Sequence, residues 1–201
     1  MLPPRPVLLA GLLWLGAVVW GFHLALAYQA APGAEPLSVE RWPSDAPIPL
    51  DGTVPTLVLS LHPRCPCSRS TMTELEQLVA HCRDRMRLYV LVYADPALGP
   101  DWERSDLWER ASYIPGARVL ADPLGASARL FGARTSGQVS LFAPDGRLLF
   151  EGGITAARGH EGDNPGAEAV ADFVLRGDAP LSHTPVFGCA LAAPADEEAR
   201  P

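Results

Sequence analysis

Two cysteines separated by one residue, Cys65 and Cys67, are the side chains of this 201-residue chain best suited to chemistry. A thiol must ionise before it attacks a disulfide. The first turn of a helix favours ionisation, because its N–H groups are unpaired and the positive end of the helix dipole lies there. Pro66, which lacks an N–H, suits a helix start, and Arg64 and Arg69 add positive charge. We therefore expect a lowered thiol pKa at this pair, more at Cys65 than at Cys67.

The sequence leaves two candidates for the sulfur that pairs with Cys65. A disulfide between Cys65 and Cys67 is geometrically tight, and strain raises its reduction potential, which suits an exchange reaction. Cys189 could instead resolve a mixed disulfide. We prefer the Cys65–Cys67 pair. The fourth cysteine, Cys82, shares an apolar helical stripe and is predicted to be a buried structural thiol.

A metal site is the alternative chemistry for these thiols. Two thiolates one residue apart suit soft Cu(I), and His160, His183 or Cys189 could complete the ligand set. The preferred interpretation needs no cofactor, and copper with Cys65, Cys67 and His160 is the alternative.

The elements that must position these thiols follow from hydrophobic spacing. An apolar run over residues 54–61 predicts a buried strand before the cysteines, and a 3.6-residue period predicts a helix over about 66–83. The remaining patterns predict strands at 86–93, 117–121, 138–142 and 147–150, and helices at 101–112, 124–131 and 168–176. This order predicts an α/β fold with a central mixed sheet and helices on both faces.

A glycine-rich loop over residues 152–165 follows the last strand, and this topology returns it to the cysteine edge. Arg158 and His160 in that loop are therefore candidates to contact the thiols or the substrate. His62, three residues before Cys65, is a further candidate to tune its ionisation, as is Arg64.

The N-terminus carries an uncharged apolar run from Val7 to Ala27, about 31 Å long as a helix and sufficient to cross a bilayer. Arg5 before the run predicts a cytoplasmic N-terminus and a domain on the periplasmic or extracytoplasmic side. A single-pass signal-anchor is preferred over a cleaved signal, although Ala25-Leu26-Ala27 has the form of a cleavage site.

The remaining chain divides by composition. We predict an anchor or uncleaved signal over residues 1–27, a Pro/Ala-rich linker over 28–50, one domain over 51–191 and a disordered tail over 192–201. The net charge of −7 and the lack of a basic run argue against nucleic acid as a partner.

Several segments resemble known proteins. The strand, Cys-Pro-Cys and helix resemble the thioredoxin-like superfamily. More narrowly, the chain resembles the membrane-anchored RedB-type proteins in four segments, HPRCPCSRS, GARTSG, GGITAARGHEGDN and HTPVFGC. This chain departs from the superfamily in two features. Its Cys-x-Cys spacing is one residue shorter than the usual Cys-x-x-Cys pair, and Gly137 stands where the superfamily has a cis-proline.

The residues and the resemblance together favour a membrane-tethered extracytoplasmic thiol–disulfide oxidoreductase. Its partners would be protein thiols or disulfides, with Cys65 attacking and Cys67 resolving. The alternative is a Cu(I) chaperone that uses the same two thiols.

Overall fold

The computed structural model describes residues 4–191. The elements in chain order are α1 (Arg5–Ala30), β1 (Thr56–Leu61), α2 (Ser68–Cys82), β2 (Arg87–Ala94), α3 (Asp106–Tyr113), β3 (Ala117–Pro123), α4 (Ala126–Leu130), β4 (Gln138–Phe142), β5 (Leu148–Gly153) and α5 (Pro165–Arg176). The predicted tail over 192–201 lies outside the described residues.

The centre of the domain is a five-stranded sheet in the order β3-β2-β1-β4-β5. β1 pairs in parallel with β2 and antiparallel with β4. All six residues of β1 are buried, which explains why this strand is an unbroken apolar run apart from Thr56 and Ser60. The predicted mixed sheet is confirmed.

The two faces of the sheet bury separate hydrophobic clusters. Alternate β1 residues point to opposite faces, so Leu57 and Leu59 join one cluster and Val58 joins the other. The larger cluster packs against α2, α3 and α5 and contains Cys82, whose predicted burial is confirmed. The smaller cluster includes Phe131, which follows α4.

The segment between α1 and the sheet lies against the domain. Trp42 packs edge-on against Phe131 and Phe142, with ring centroids 5.0 and 5.2 Å apart. Ile48 is buried with them. Residues 31–50 form no helix or strand, as a linker would, but they cover part of the core. The division into anchor, linker and domain stays a prediction.

α1 has no buried residue along its 26-residue length. Its length and composition are sufficient for a membrane span, and an N-terminal signal sequence has the same properties. α1 is therefore an exposed apolar helix about 39 Å long.

Candidate functional site

The two close cysteines lie in the turn that leads into α2. The helix begins at Ser68 with Cys67 as its N-cap, two residues after the approximate predicted start at Pro66. A turn explains the difference, because the Cys65 N–H donates to the His62 carbonyl at 3.1 Å. Cys65 thus precedes the helix while remaining at its N-terminal end.

The sulfur that the structure brings to Cys65 is that of Cys189. The two Sγ atoms lie 3.0 Å apart and share a hydrogen bond, and the Cys189 N–H points at the Cys65 sulfur at 3.4 Å. Cys189 belongs to an irregular segment, residues 186–191, which we call the strap. Cys65 is 1% exposed and Cys67 9%, whereas Cys189 is only half-buried.

Backbone contacts hold the strap against the loop before β4. The Ser136 N–H donates to the Cys189 carbonyl at 2.8 Å, and the Leu191 N–H donates to the Arg134 carbonyl at 3.0 Å. Gly188 lies so close that a Cβ there would be 1.9 Å from the Ser136 oxygen. Only glycine permits this approach, which places the next residue, Cys189, over Cys65.

The two thiols of this pair differ in their ionisation. Burial raises the pKa of Cys65, but hydrogen bonds from Ser68 and from Cys189 outweigh it and hold the pKa below its ordinary value. Burial raises the pKa of Cys189 to about 12, and the hydrogen bond with Cys65 and the charges of Cys65 and Cys67 act in the same direction. Cys65 is therefore the first of the two thiols to lose its proton as the pH rises.

Arg158 reaches the site from the glycine-rich loop. Its Nη1 atom donates to the Gly188 carbonyl at 2.7 Å and lies 3.9 Å from the Cys67 sulfur. The prediction that this loop returns to the cysteine edge is confirmed. His160, two residues later, is exposed, and its N–H donates to the Ala157 carbonyl.

His62 and Arg64 face an aromatic cluster. The His62 ring stacks on Tyr93 with centroids 5.6 Å apart, and the Arg64 guanidinium lies 5.2 Å from the ring centre of Trp102. Burial lowers the pKa of His62, and the charge of Arg64 lowers it further. The contact of His62 with the site is indirect, since its N–H donates to the Ser136 hydroxyl at 2.8 Å.

Within residues 4–191, no group of three or more His, Cys, Asp or Glu side chains is arranged to hold a metal ion. The alternative copper ligands Cys65, Cys67 and His160 are therefore not assembled in this conformation. Copper binding stays a prediction.

Two serines at the site were missed by the sequence reasoning. Ser68 contributes to the low pKa of Cys65, and its hydroxyl lies 2.8 Å from that of Ser136. Ser136 could have been predicted from the sequence, because it comes just before β4. The topology places that end of β4 beside the cysteines.

Gly137 occupies the position that aligns with the superfamily's cis-proline. Its φ is +94°, a conformation that favours glycine, and its N–H donates to the Ser60 carbonyl at 2.8 Å. The residues that the structure describes contain no cis peptide bond. β4 therefore enters the sheet through a glycine turn.

Comparison with solved structures identifies the fold. A hypothetical protein from Sinorhizobium meliloti superposes with a TM-score of 0.58 at 22% identity, covering 81% of this chain and 91% of that one. An uncharacterized conserved protein from Geobacillus kaustophilus gives 0.59 at 18% identity, covering 82% and 90%. A secreted disulfide oxidoreductase of Mycobacterium tuberculosis gives 0.44 at 13% identity, covering 63% and 84%. The five-stranded mixed sheet in the order β3-β2-β1-β4-β5 is the thioredoxin-like fold expected from the sequence.

No family model and no curated protein matches the sequence. The identities above are low, so the first two structures show a shared fold and nothing about activity. The function must be argued from the site.

Proposed function

We propose that this protein is a membrane-tethered, extracytoplasmic thiol–disulfide oxidoreductase whose redox pair is Cys65 and Cys189. The observation that carries the proposal is the 3.0 Å contact between these two sulfurs. The preference for Cys67 as the partner of Cys65 is replaced, because the neighbour of Cys67 is Arg158. The resemblance to RedB-type proteins and the apolar α1 support the tethered form.

The exposure of the sulfurs decides where exchange begins. With Cys65 and Cys189 joined as a disulfide, an incoming thiolate meets Cys189 first, since Cys65 is 1% exposed. A bond forms between the substrate sulfur and Cys189, and the Cys65–Cys189 bond breaks. Cys65 leaves with the electron pair as a thiolate.

Cys65 is well suited to be the leaving group, because a thiol with a lower pKa leaves faster. Two of the donors that lower its pKa, Ser68 and the Cys189 backbone N–H, do not depend on a proton on the Cys189 sulfur and can serve Cys65 as it leaves. A second substrate thiol then attacks the substrate sulfur of the mixed disulfide. The substrate becomes a disulfide, Cys189 leaves and takes up a proton, and the protein retains the two electrons as a reduced pair.

The pairing is tested by intact mass after alkylation, with and without prior oxidation. We expect wild type to lose two alkylatable thiols on oxidation, and Cys67→Ser to lose the same two. Cys65→Ser and Cys189→Ser should each lose none. If Cys67→Ser abolishes the oxidation instead, the pair is Cys65–Cys67 and this proposal is wrong.

The order of attack is tested on the oxidised wild-type protein. A peptide with a single thiol is added, the reaction is quenched with acid, and the mixed disulfide is located by peptide mapping. We expect the adduct on Cys189. An adduct on Cys65 would show that the strap opens before exchange and would reverse the two roles.

A Cu(I) chaperone is the second candidate, because thiols gathered at one edge of the fold suit a soft ion. Its ligands would be Cys65 and Cys67 with His160 or Cys189. Anaerobic titration with Cu(I) separates the two functions. Tight binding of one ion with negligible disulfide exchange would favour the chaperone.

A further inference from the structure

The end of α1 contacts the redox site through one side chain, that of Arg158. Its Nε donates to the Ala31 carbonyl at 3.1 Å, and its guanidinium lies 5.0 Å from the ring centre of Tyr28. The backbone N–H of the same residue donates to the Gln29 carbonyl at 3.1 Å. Since Arg158 also contacts Cys67, a single arginine spans the distance between the last turn of α1 and the thiols.

The chain that leaves α1 runs beside the strap. The Gly33 N–H donates to the Val186 carbonyl at 2.8 Å, and the Thr135 hydroxyl donates to the Ala34 carbonyl at 3.0 Å. Gly33 lies so close to Thr135 that a Cβ there would be 2.5 Å from its side chain. These contacts fix the exit of α1 at the redox edge of the sheet.

The position of the bilayer surface follows from α1. No residue of the helix is buried by the domain. A hydrocarbon core of about 30 Å is shorter than the 26-residue helix, so both helix ends reach the interfaces. Tyr28 lies in the last turn, and tyrosine is enriched where membrane meets water. The outer surface therefore lies near Tyr28, and Arg158 is at the same height.

We infer that the redox pair works at the membrane surface and that its partner is an integral membrane protein with a cysteine pair directly after a membrane span. This inference rests on the proposed oxidoreductase function. A segment that leaves a neighbouring span lies at the height of Cys189 without any unfolding. Confinement of both proteins to one bilayer also raises their effective concentration.

The height of the site is tested with the full chain in phosphatidylcholine vesicles that carry a nitroxide on the lipid headgroup. Two matched exposed acidic positions receive a fluorophore through cysteine, with the native pair kept oxidised. Glu161→Cys lies in the loop of Arg158, and Asp145→Cys lies in the turn between β4 and β5, at the opposite end of the sheet. We expect strong quenching at 161 and little at 145; equal quenching overturns the inference.

The partner class is tested with co-reconstituted peptides that each contain one membrane span and one cysteine pair. The pair follows the span directly in one peptide and sits at the end of a long Gly-Ser stalk in the other. We expect about tenfold faster oxidation of the first peptide, through the higher effective concentration at the surface. A Gly-Ser spacer inserted after Ala30 of this chain should remove the preference.

A soluble dithiol peptide, assayed in the same vesicles, separates the two ideas. If it and the stalked peptide are oxidised as fast as the direct one, the partner is a soluble protein and only this inference fails. If none of the three peptides is oxidised, the proposed oxidoreductase function itself fails.

Discussion

At the scale of single residues, the site works through a contrast between two thiols in contact. Burial opposes ionisation of both, yet the pKa of Cys65 is lowered and that of Cys189 is raised to about 12. Hydrogen bonding lowers the pKa of Cys65, and the contribution of the Ser68 side chain is larger than that of Cys189. Hydrogen bonds to the charged form are a standard means of lowering a pKa.

Replacing Ser68 with alanine should raise the pKa of Cys65, because one donor to the thiolate is lost. The ultraviolet absorbance of the thiolate, followed against pH in the reduced protein, measures the change. Ser70→Ala is the matched control, since this buried serine of the same helix donates to the Cys67 carbonyl at 3.1 Å. If the pKa of Cys65 is the same in Ser68→Ala and wild type, Ser68 does not lower it.

The same substitution has a pH-dependent effect on stability. A folded-state pKa below the unfolded value stabilises the fold above the unfolded pKa, and this contribution is lost as pH falls through the folded pKa. The difference in free energy of unfolding between reduced wild type and Ser68→Ala should therefore narrow towards low pH. At low pH, where the Cys65 thiol is neutral in both proteins, the remaining difference in free energy of unfolding is that of one neutral hydrogen bond, about 1 kcal/mol.

At the scale of elements, the strap is a segment without regular secondary structure that carries Cys189 to the site. It is held by backbone hydrogen bonds to the loop before β4, and its closest approach is at Gly188. Cys65 lies at the N-terminal end of α2, and the loop before β4 holds the strap. The contact between Cys65 and Cys189, the proposed redox pair, thus depends on how the strap docks.

Gly188→Ala should move the strap away from β4 and separate Cys189 from Cys65. The added Cβ would lie 1.9 Å from the Ser136 oxygen, so the backbone must shift, at a cost of about 1–3 kcal/mol. We expect a severalfold lower yield of the Cys65–Cys189 disulfide, measured by alkylation and intact mass. Gly52→Ala, where a Cβ meets nothing within 4 Å, should keep the wild-type yield. An unchanged yield in Gly188→Ala would show that the strap does not need this contact.

At the scale of the whole molecule, the segment between α1 and β1 does two things. It covers the smaller hydrophobic cluster through Trp42 and Ile48, and it brings the end of α1 to the redox edge. The predicted membrane anchor and the thioredoxin-like domain are therefore in direct contact.

Trp42→Ala should destabilise the domain by about 3 kcal/mol, because the indole packs on two core phenylalanines. Urea unfolding in mild detergent, followed by circular dichroism, gives the change in midpoint. Trp20→Ala is the control, since this tryptophan of α1 is 64% exposed. If Trp42→Ala does not change the urea midpoint, residues 28–50 are a linker that does not stabilise the domain.

The sequence by itself determined the elements and their order. β1, the two strands of the closing hairpin and α5 lie within a few residues of their predicted bounds, because hydrophobic periodicity is a local property. The alternation of strands and helices predicted the mixed sheet. The same topology correctly returned the glycine-rich loop to Cys67.

Only the tertiary structure decided which sulfur meets Cys65. Cys67 is two residues away and Cys189 is 124, and the closer one in sequence is not the sulfur in contact. The path of the strap depends on backbone contacts with Ser136, which no periodicity encodes. For the same reason the sequence could not decide that Arg158 faces the thiols and the exit of α1 while His160 faces solvent.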